Sequence, residues 1–256
     1  MTVLSSIDAM LTSDATYGML RRALSGRMVA STAATANCGG VACTRADPQL
    51  TIPSLGTGIT GCYLAHGRSV VNSNPSVSVI ALEVLLATHV VGTGFTSGGS
   101  MPTRTIEGAS VVTATMLPMV VCTNVSGATP PAFTITYTDQ DGNGSQTSAT
   151  VTLPVTPNDR AAYCLAPHLA SGDTGVRSVS AISMSASPTT GTFKIYGLFP
   201  LAFSVQGVAL TNGHLDPVGV PFPIIPLVAG DIVAVYGFGM VGSGDFYASM
   251  AFLPDY

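Results

Sequence analysis

Apolar and polar residues alternate most regularly on the two sides of a polar turn near the middle of the chain. Phe133, Ile135 and Tyr137 alternate with threonines. The alternation returns from Thr147 to Leu153, where apolar residues are separated by serines and threonines. Such period-two runs are typical of half-buried strands. The segment between them, Asp139 to Gly144, consists of turn-forming residues, so the pattern predicts a β-hairpin.

Two more strands are predicted after the hairpin. Val176 to Met184 and Phe193 to Leu198 are rich in β-branched and apolar residues. Ser187 to Gly191 lies between them and contains the proline and glycine that punctuate strands. We therefore expect these two strands to pair with each other.

The longest apolar run, Val77 to Val91, is interrupted by Glu83 and His89. Alternate positions within it are occupied by aliphatic side chains, which favours a buried strand, with a buried helix as the alternative. The run is too short to span a bilayer, so no membrane partner is predicted.

The N-terminal region is predicted to form a short helical arm. Ser13 or Asp14 can cap a helix, Gly26 can end it, and three apolar residues recur at helical spacing with arginines near the C-terminal end. The arm could pack on its own domain or dock on a neighbouring subunit. In the second case the interface residues would be Tyr17, Leu20, Arg21, Arg22 and Leu24.

These elements predict a mainly β protein, an antiparallel β-sandwich or jelly-roll-like fold with the short N-terminal helical arm. The predicted organisation is an arm over residues 1–28, a β-rich region over 29–125 and an antiparallel sandwich domain over 126–256. The boundary is placed after residue 125 because Asn124 to Pro131 is rich in turn-forming residues.

The chain has few charged residues, and this bears on which partners it is predicted to bind. Only 9% of the 256 residues are charged, against about a quarter in an average globular domain. Interface cores are depleted in charge, so this composition favours a surface covered by neighbouring subunits. A small-polar surface of the kind found on some extracellular β proteins is the alternative. The net charge of −4 argues against a nucleic-acid partner, which would require a basic stripe.

Asp139, Asp141 and Asn143 match the opening half of an EF-hand calcium loop, where oxygen ligands alternate and a glycine allows a sharp turn. The match fails at Thr150, which stands where a bidentate glutamate is needed. The loop is also flanked by predicted strands, whereas an EF-hand loop lies between helices. A polar hairpin turn is therefore the simpler interpretation, and calcium binding is the alternative. No other cofactor is predicted.

No motif predicts catalysis. Asp173-Thr174-Gly175 is the tripeptide of aspartic proteases, but it occurs once and follows a loop-like segment. The more economical interpretation is an Asx turn that begins the next strand. Cys38, Cys43, Cys62 and His66 are residue types that bind zinc, but they lack the CxxC spacing of structural sites. The five cysteines are odd in number and irregularly spaced, which predicts mostly reduced, buried thiols.

The chain resembles structural proteins of tailed double-stranded DNA bacteriophages over roughly residues 130–205. The similarity is carried by the segment Ser171-Gly-Asp-Thr-Gly-Val-Arg-Ser-Val179, by Phe193 to Leu198 with Pro200-Leu201-Ala202 after it, and by Thr136 to Gly142 before it. The resemblance implies a β-rich, many-copy virion component without catalytic residues.

The resemblance and the low charge together predict a non-enzymatic virion protein, a capsid cement or decoration protein that self-associates and docks on the shell. The expected partners are further copies of itself, as a trimer or larger ring, and the major capsid or neck proteins. The alternative is a neck, tail or vertex spike component that acts as an adaptor or as a receptor- or carbohydrate-binding module. That alternative requires exposed aromatic residues on loops, and the candidates are Phe238, Phe246, Tyr247 and Tyr256.

Overall fold

The structure is a computed structural model that describes residues 20–29, 43–45, 49–52, 61–71, 76–106, 109–113, 115, 117–155, 157, 162–206, 212–215, 224–238 and 243–255. These residues form β-strands almost throughout, with one short 3-10 helix at Ala166–His168. The first nine strands are β1 (Leu20–Val29), β2 (Cys43–Arg45), β3 (Leu50–Thr51), β4 (Gly61–Val71), β5 (Ser76–Val90), β6 (Gly94–Ser97), β7 (Thr103–Ile106), β8 (Ala109–Val112) and β9 (Leu117–Ser126). The remaining strands are β10 (Ala132–Asp139), β11 (Gln146–Thr147), β12 (Val151–Thr152), β13 (Ala162–Cys164), β14 (Val176–Ala186), β15 (Thr190–Gln206), β16 (Asn212–Leu215), β17 (Ile232–Phe238) and β18 (Ser243–Asp255). The predicted mainly β, antiparallel class is confirmed.

The strands make three main sheets, which we name by their content. The large sheet has eight strands in the order β13-β9-β15-β5-β17-β2, with β3 paired to β17 and β6 to β5. The hairpin sheet has β10 at its centre, with β11 and β12 on one side and β14 on the other. The terminal sheet has the order β1-β18-β4-β16. The strands β7 and β8 pair only with each other within the described part of the chain.

The hairpin sheet packs on the large sheet around a shared apolar core. The inward side chains of β10, including Phe133 and Ile135, are fully buried, and they belong to one cluster with Phe193 and Ile195 of β15. The rings of Phe133 and Phe193 meet with centroids 6.0 Å apart at 54°, a tilted geometry that aromatic pairs favour. The two sheets therefore form a sandwich.

The middle of β5, residues 79–83, is buried on both faces, which explains the continuous apolar sequence there. In β5, Ile80 and Leu82 belong to the core shared with the hairpin sheet, whereas Val79 and Ala81 belong to a second buried cluster on the opposite face. A strand with both faces buried has no polar face, so its sequence reads as an unbroken apolar run. The prediction of a buried strand over Val77 to Val91 is confirmed.

The predicted hairpin is present, but its returning strand is interrupted. β10 pairs with β11 and, further along, with β12. Between these two strands, the side-chain oxygen of Ser148 accepts a hydrogen bond from the N–H of Ile135 at 3.0 Å. The Ser148 hydroxyl thus accepts a hydrogen bond that a backbone carbonyl would accept in a regular strand pair. The returning segment is therefore divided into two short strands, β11 and β12.

The predicted pairing of Val176–Met184 with Phe193–Leu198 is wrong. β14 pairs with β10 in the hairpin sheet, and β15 pairs with β5 and β9 in the large sheet. The short connection between β14 and β15 therefore crosses from one layer of the sandwich to the other. β15 also runs on through Pro200, which a central strand accommodates because the register shifts between Pro200 and Ala202.

The second half of the predicted N-terminal helix is also wrong. Leu20, Arg21, Arg22 and Leu24 lie in β1, which pairs antiparallel with β18 over ten residues from Leu20 to Val29. Three apolar positions at helical spacing are a weak signal, and ten residues of backbone pairing with a distant strand override it. Tyr17 and the predicted caps lie outside the described residues.

The predicted boundary after residue 125 does not separate two sheets. β5 and β9 come from the predicted β-rich region, and β15 and β17 from the predicted sandwich domain, yet all four are neighbours in the large sheet. A strong run of turn residues marks a connection between strands and carries no information on whether the strands share a sheet.

Thr115 connects the two sheets of the sandwich. Its hydroxyl donates to the carbonyl oxygen of Leu198 at 2.8 Å and accepts from the N–H of the same residue at 2.7 Å. Its backbone exchanges two hydrogen bonds with Val176 of β14, both 2.9 Å long. One residue thus pairs with the large sheet through its side chain and with the hairpin sheet through its backbone.

Gly98 and Gly99 are expected to respond differently to substitution by alanine. A Cβ on Gly98 would overlap the carbonyl oxygen of Leu85 and lie 2.7 Å from the carbonyl carbon of Leu86, both backbone atoms of the central strand β5. A Cβ on Gly99 would lie 3.4 Å from the Val84 side chain, an ordinary contact. Gly98→Ala is expected to lower the free energy of unfolding by about 2–3 kcal/mol, and Gly99→Ala by less than about 0.5 kcal/mol, measured by urea denaturation. Equal effects of the two substitutions would contradict the close approach at Gly98.

Cys62, Cys122 and Cys164 are reduced and buried, as predicted. Among the described residues, no helix has the length and apolar character needed to cross a membrane.

Candidate functional site

The polar turn after β10 is organised by the carboxylate of Asp139. One carboxylate oxygen accepts hydrogen bonds from the N–H groups of Asp141 and Asn143, both at 2.8 Å, and the other accepts from the Asn143 side-chain amide at 2.9 Å. The backbone N–H of Asp139 donates to the carbonyl oxygen of Asn143 at 3.0 Å. An Asx turn of this kind is a local consequence of an aspartate placed before glycines.

The turn is joined to the loop that precedes β14. The side-chain oxygen of Gln140 accepts from the N–H groups of Thr174 at 2.9 Å and Gly175 at 3.1 Å. In return, Nε of Arg177 donates to the backbone carbonyl of Gln140 at 2.9 Å. The two segments therefore hold each other through side chains and backbone alike.

A buried tyrosine forms the other end of this connection. The hydroxyl of Tyr137 donates to Asp173 at 2.6 Å and accepts from the N–H of Ala170 at 2.8 Å. Burial, followed by the hydrogen bond to Asp173, raises the pKa of Tyr137 to about 12, so the hydroxyl stays a neutral donor. We call this set of contacts the turn–loop network; it comprises Tyr137, Asp139, Gln140, Asn143, Ala170, Asp173, Thr174, Gly175 and Arg177.

The turn–loop network joins two of the three segments from which a resemblance to phage proteins was predicted. Thr136 to Gly142 supplies the turn side, and Ser171 to Val179 supplies the loop side. The two segments are about 30 residues apart in sequence. Each provides hydrogen-bond partners for polar groups of the other. The sequence motifs therefore form one structural unit.

The pKa of Asp139 is set by opposing effects. Burial raises it, but the hydrogen bonds from the side chain and backbone of Asn143 and from the N–H groups of Asp141 and Gly142 outweigh burial and hold the pKa below its ordinary value of 3.8. These donors favour the charged form. The carboxylate is therefore ionised at neutral pH.

Asp139 is expected to contribute stability at neutral pH that is lost on acidification. A carboxyl whose pKa is lower in the folded chain binds fewer protons when folded, so its contribution is complete above the unfolded pKa and disappears as pH falls through the folded pKa. The difference in free energy of unfolding between the wild type and Asp139→Asn should stay constant from about pH 7 to about pH 5 and shrink below about pH 4. Urea denaturation at several pH values measures it. The substitution Asp141→Asn at an exposed neighbouring residue is the matched control and should change stability little. An Asp139→Asn difference that persisted to about pH 2 would contradict this assignment.

The calcium candidates are engaged in hydrogen bonds. Both oxygens of Asp139 accept from N–H groups, and one oxygen of Asp141 accepts from the side chain of Gln140 at 2.9 Å. No group of three or more histidine, cysteine, aspartate or glutamate side chains is placed to hold a metal ion in the described part of the chain. The geometry favours the simpler interpretation, a hydrogen-bonded polar turn, and calcium binding at Asp139, Asp141 and Asn143 stays a prediction.

The other candidates for chemistry take structural positions. Asp173 accepts the hydrogen bond from Tyr137 within a loop, in agreement with the non-catalytic interpretation of Asp173-Thr174-Gly175. Burial, and secondarily the charge of Asp231, raises the pKa of Cys62 to about 11, so this thiol is protonated at neutral pH and is a poor metal ligand as it stands. Cys38 lies outside the described residues.

The predicted aromatic loop candidates lie mostly in strands. Phe238 is the last residue of β17, and Phe246 and Tyr247 are in β18. Tyr256 lies outside the described residues. The backbone therefore does not place Phe246 and Tyr247 on a loop of the kind that a carbohydrate site would use.

The outer face of the hairpin sheet is a surface of small hydroxyl residues. On β14 the outward side chains include the exposed Ser180, Ser183 and Ser185, and Thr134 of β10 pairs in register with Ser183. The threonines of β10 that face outward are half-buried. None of these positions carries a charge, so the sheet presents a hydrogen-bonding but uncharged face.

Most of the charged side chains that the structure describes are not exposed. Among residues whose side chains the structure describes, Asp141 is the one exposed charged residue. The others are buried or half-buried, and several are engaged internally: Arg104 with Asp231, and Arg177 with the carbonyl of Gln140. The composition gave the low number of charges, but only the fold shows that most described ones are used inside it.

Comparison with known proteins yields no family. No protein-family model matches the sequence, and a comparison with curated proteins finds no match. Among solved structures, the chain is similar to one described as the structure of infectious bursal disease virus Gt strain, with 10% identity, a TM-score of 0.21, and coverage of 93% of this chain and 80% of the other. The VP2 subviral particle of the same virus gives 11% identity, a TM-score of 0.17, and coverage of 94% and 83%. TM-scores this low do not establish a shared fold.

Proposed function

We propose that this chain is a non-enzymatic structural protein of a tailed-phage particle, a cement or decoration protein that self-associates and docks on the capsid shell. The observation that carries the proposal is the low charge of the chain, in which only 9% of the 256 residues are charged. A protein that remains free in solution keeps its surface hydrated with many charges of both signs. A chain whose surface is covered by neighbouring subunits does not need many surface charges to stay in solution.

Docking through hydroxyl groups has a physical advantage over docking through charges. Removing an ion from water costs far more than removing a hydroxyl group that finds a hydrogen-bond partner at the interface. The outer face of the hairpin sheet, with Ser180, Ser183 and Ser185 on β14, is therefore suited to close contact with a neighbouring protein surface. We place the docking contact with the shell on this face.

The phage assignment rests on the resemblance to structural proteins of tailed phages of three segments: Thr136 to Gly142, Ser171 to Val179, and Phe193 to Leu198 with Pro200-Leu201-Ala202 after it. In the fold, the turn–loop network holds the first two of these segments together. The partners under this proposal are further copies of the chain and the major capsid protein, and the location is the virion.

Copy number tests the proposal. Native particles would be purified, and this chain would be quantified against the major shell protein by mass spectrometry. We expect on the order of hundreds of copies, because a cement protein repeats with the symmetry of the shell. About a dozen copies would favour the alternative position at the neck, tail or vertices, and absence from particles would overturn the structural role.

The docking face is tested separately by introducing charge. Ser183→Lys combined with Ser185→Lys adds two cations to the outer face, and Ser100→Lys on an exposed loop is the matched control. The double variant should fold and lose incorporation into particles, whereas the control should be incorporated like the wild type. Normal incorporation of the double variant would show that the docking contact lies on another face.

A further inference from the structure

We propose that Asn143 is a deamidation site, and that its conversion to aspartate or isoaspartate opens the turn–loop network. The proposal is independent of the proposed function, because it rests on the chemistry of the turn alone. The chain contains two Asn-Gly dipeptides, Asn143-Gly144 and Asn212-Gly213. In such dipeptides the backbone nitrogen that attacks the asparagine side chain belongs to a residue without a side chain, so access is least hindered.

The two dipeptides differ in backbone environment. Asn143 and Gly144 are both exposed in the turn between β10 and β11, and the Gly144 N–H makes no hydrogen bond to another described residue. Asn212 and Gly213 lie instead within β16, where they pair with Val70 and Ser69 of β4. Strand pairing fixes the extended backbone at Asn212, while the turn leaves the nucleophile at Gly144 unpaired and in contact with water.

The reaction needs no co-reactant other than water. The deprotonated backbone nitrogen of Gly144 attacks the side-chain carbonyl carbon of Asn143, a carbon–nitrogen bond forms, and the bond to the side-chain nitrogen breaks. The amide nitrogen leaves as ammonia, taking up a proton, and a cyclic imide remains. Water then opens the imide at one of its two carbonyl carbons, which gives aspartate or isoaspartate. The net change is amide plus water to acid plus ammonia, with no oxidation or reduction.

The product is incompatible with the hydrogen bonds that Asn143 makes. The side-chain nitrogen that leaves is the donor to Asp139 at 2.9 Å. After conversion, a second carboxylate stands where that donor stood, facing a buried one. Isoaspartate also lengthens the backbone at the residue whose carbonyl oxygen accepts from the Asp139 N–H. Both products therefore destabilise the present conformation of the turn.

The disturbance reaches the loop before β14 because the same turn holds it. Gln140 is adjacent to Asp139 and accepts hydrogen bonds from Thr174 and Gly175. If the turn opens, these N–H groups lose their acceptor. Deamidation at Asn143 is thus a one-way change of charge that releases the connection between the two segments.

An ageing experiment tests the site. The purified protein would be incubated in mildly alkaline buffer, and peptides containing Asn143 and Asn212 would be followed by mass spectrometry, with isoaspartate identified by enzymatic methylation. Asn143 should convert severalfold faster than Asn212. Gly144→Ala is the matched control, since a Cβ there would meet only the Thr138 side-chain oxygen at 3.9 Å, and it should slow conversion without altering the fold. Equal rates at the two asparagines, or an unchanged rate in Gly144→Ala, would overturn the proposal.

A second measurement tests the consequence. In the Asn143→Asp variant, amide hydrogen exchange over Ala170 to Arg177 should be severalfold faster than in the wild type. The Gly144→Ala variant should keep the wild-type protection. Wild-type protection in Asn143→Asp would show that the charge does not open the network and would overturn that half of the proposal.

Discussion

Replacement of Phe133 by alanine is expected to lower the free energy of unfolding by about 3–5 kcal/mol. Phe133 is fully buried between the two sheets of the sandwich, where its ring meets that of Phe193 at a centroid distance of 6.0 Å. Truncation removes the transfer free energy of the ring and leaves a cavity that two packed sheets cannot close. The expected fall in melting temperature is roughly 10 °C for a chain of this size.

Two controls separate packing from other effects of the Phe133 change. Phe133→Leu keeps much of the volume and should cost less than half as much as the alanine variant. Thr134→Ala alters the adjacent residue, whose side chain faces outward and is half-buried, and should stay within about 0.5 kcal/mol of the wild type. An alanine effect at Phe133 as small as that at Thr134 would mean that the hairpin sheet does not pack on the large sheet.

The second large effect is expected at the ion pair of Arg104 and Asp231. One guanidinium nitrogen of Arg104 lies 2.6 and 2.7 Å from the two carboxylate oxygens, and the side chains are only 12% and 13% exposed. The pair joins β7 to the turn before β17. Asp231 also accepts from the N–H of Val228 at 2.8 Å, so the carboxylate is fixed in place.

Arg104→Met should lower the free energy of unfolding by about 3–5 kcal/mol, because it leaves the carboxylate of Asp231 largely buried without its counter-charge. Adding Asp231→Asn to Arg104→Met should recover a substantial part of that loss, since the unpaired charge is then absent. Asp141→Asn removes an exposed charge and serves as the control with little effect. Denaturant titrations of the two single variants and the double variant measure the coupling. A double variant as unstable as the sum of the single variants would contradict the pairing.

The hairpin was predictable because its signals are local. Phe133, Ile135 and Tyr137 alternate with threonines, and Asp139 begins a turn that its own carboxylate then caps. Strand type and turn position depend on residues that are neighbours in sequence. For the same reason the long apolar run that became β5 was recognisable as a buried strand.

Partner strands were not predictable on the same basis. β14 and β15 are adjacent in sequence and separated by a turn signal, yet they lie in different sheets. β1 carried a weak helical period and became a strand through pairing with β18, more than 200 residues away. A pattern of apolar residues states which face of a strand is buried but not which strand lies beside it.

The sequence by itself determined the mainly β class, the position of the central polar turn, the buried central strand and the low number of charges, because each depends on composition or on the spacing of near neighbours. The tertiary structure alone decided that Thr115 joins the sheets, that the turn after β10 and the loop before β14 hold each other through Tyr137 and Gln140, and that most described charges are used internally. Those features depend on contacts between residues far apart in the chain. Such contacts are fixed only when the sheets pack and most buried polar groups find a partner.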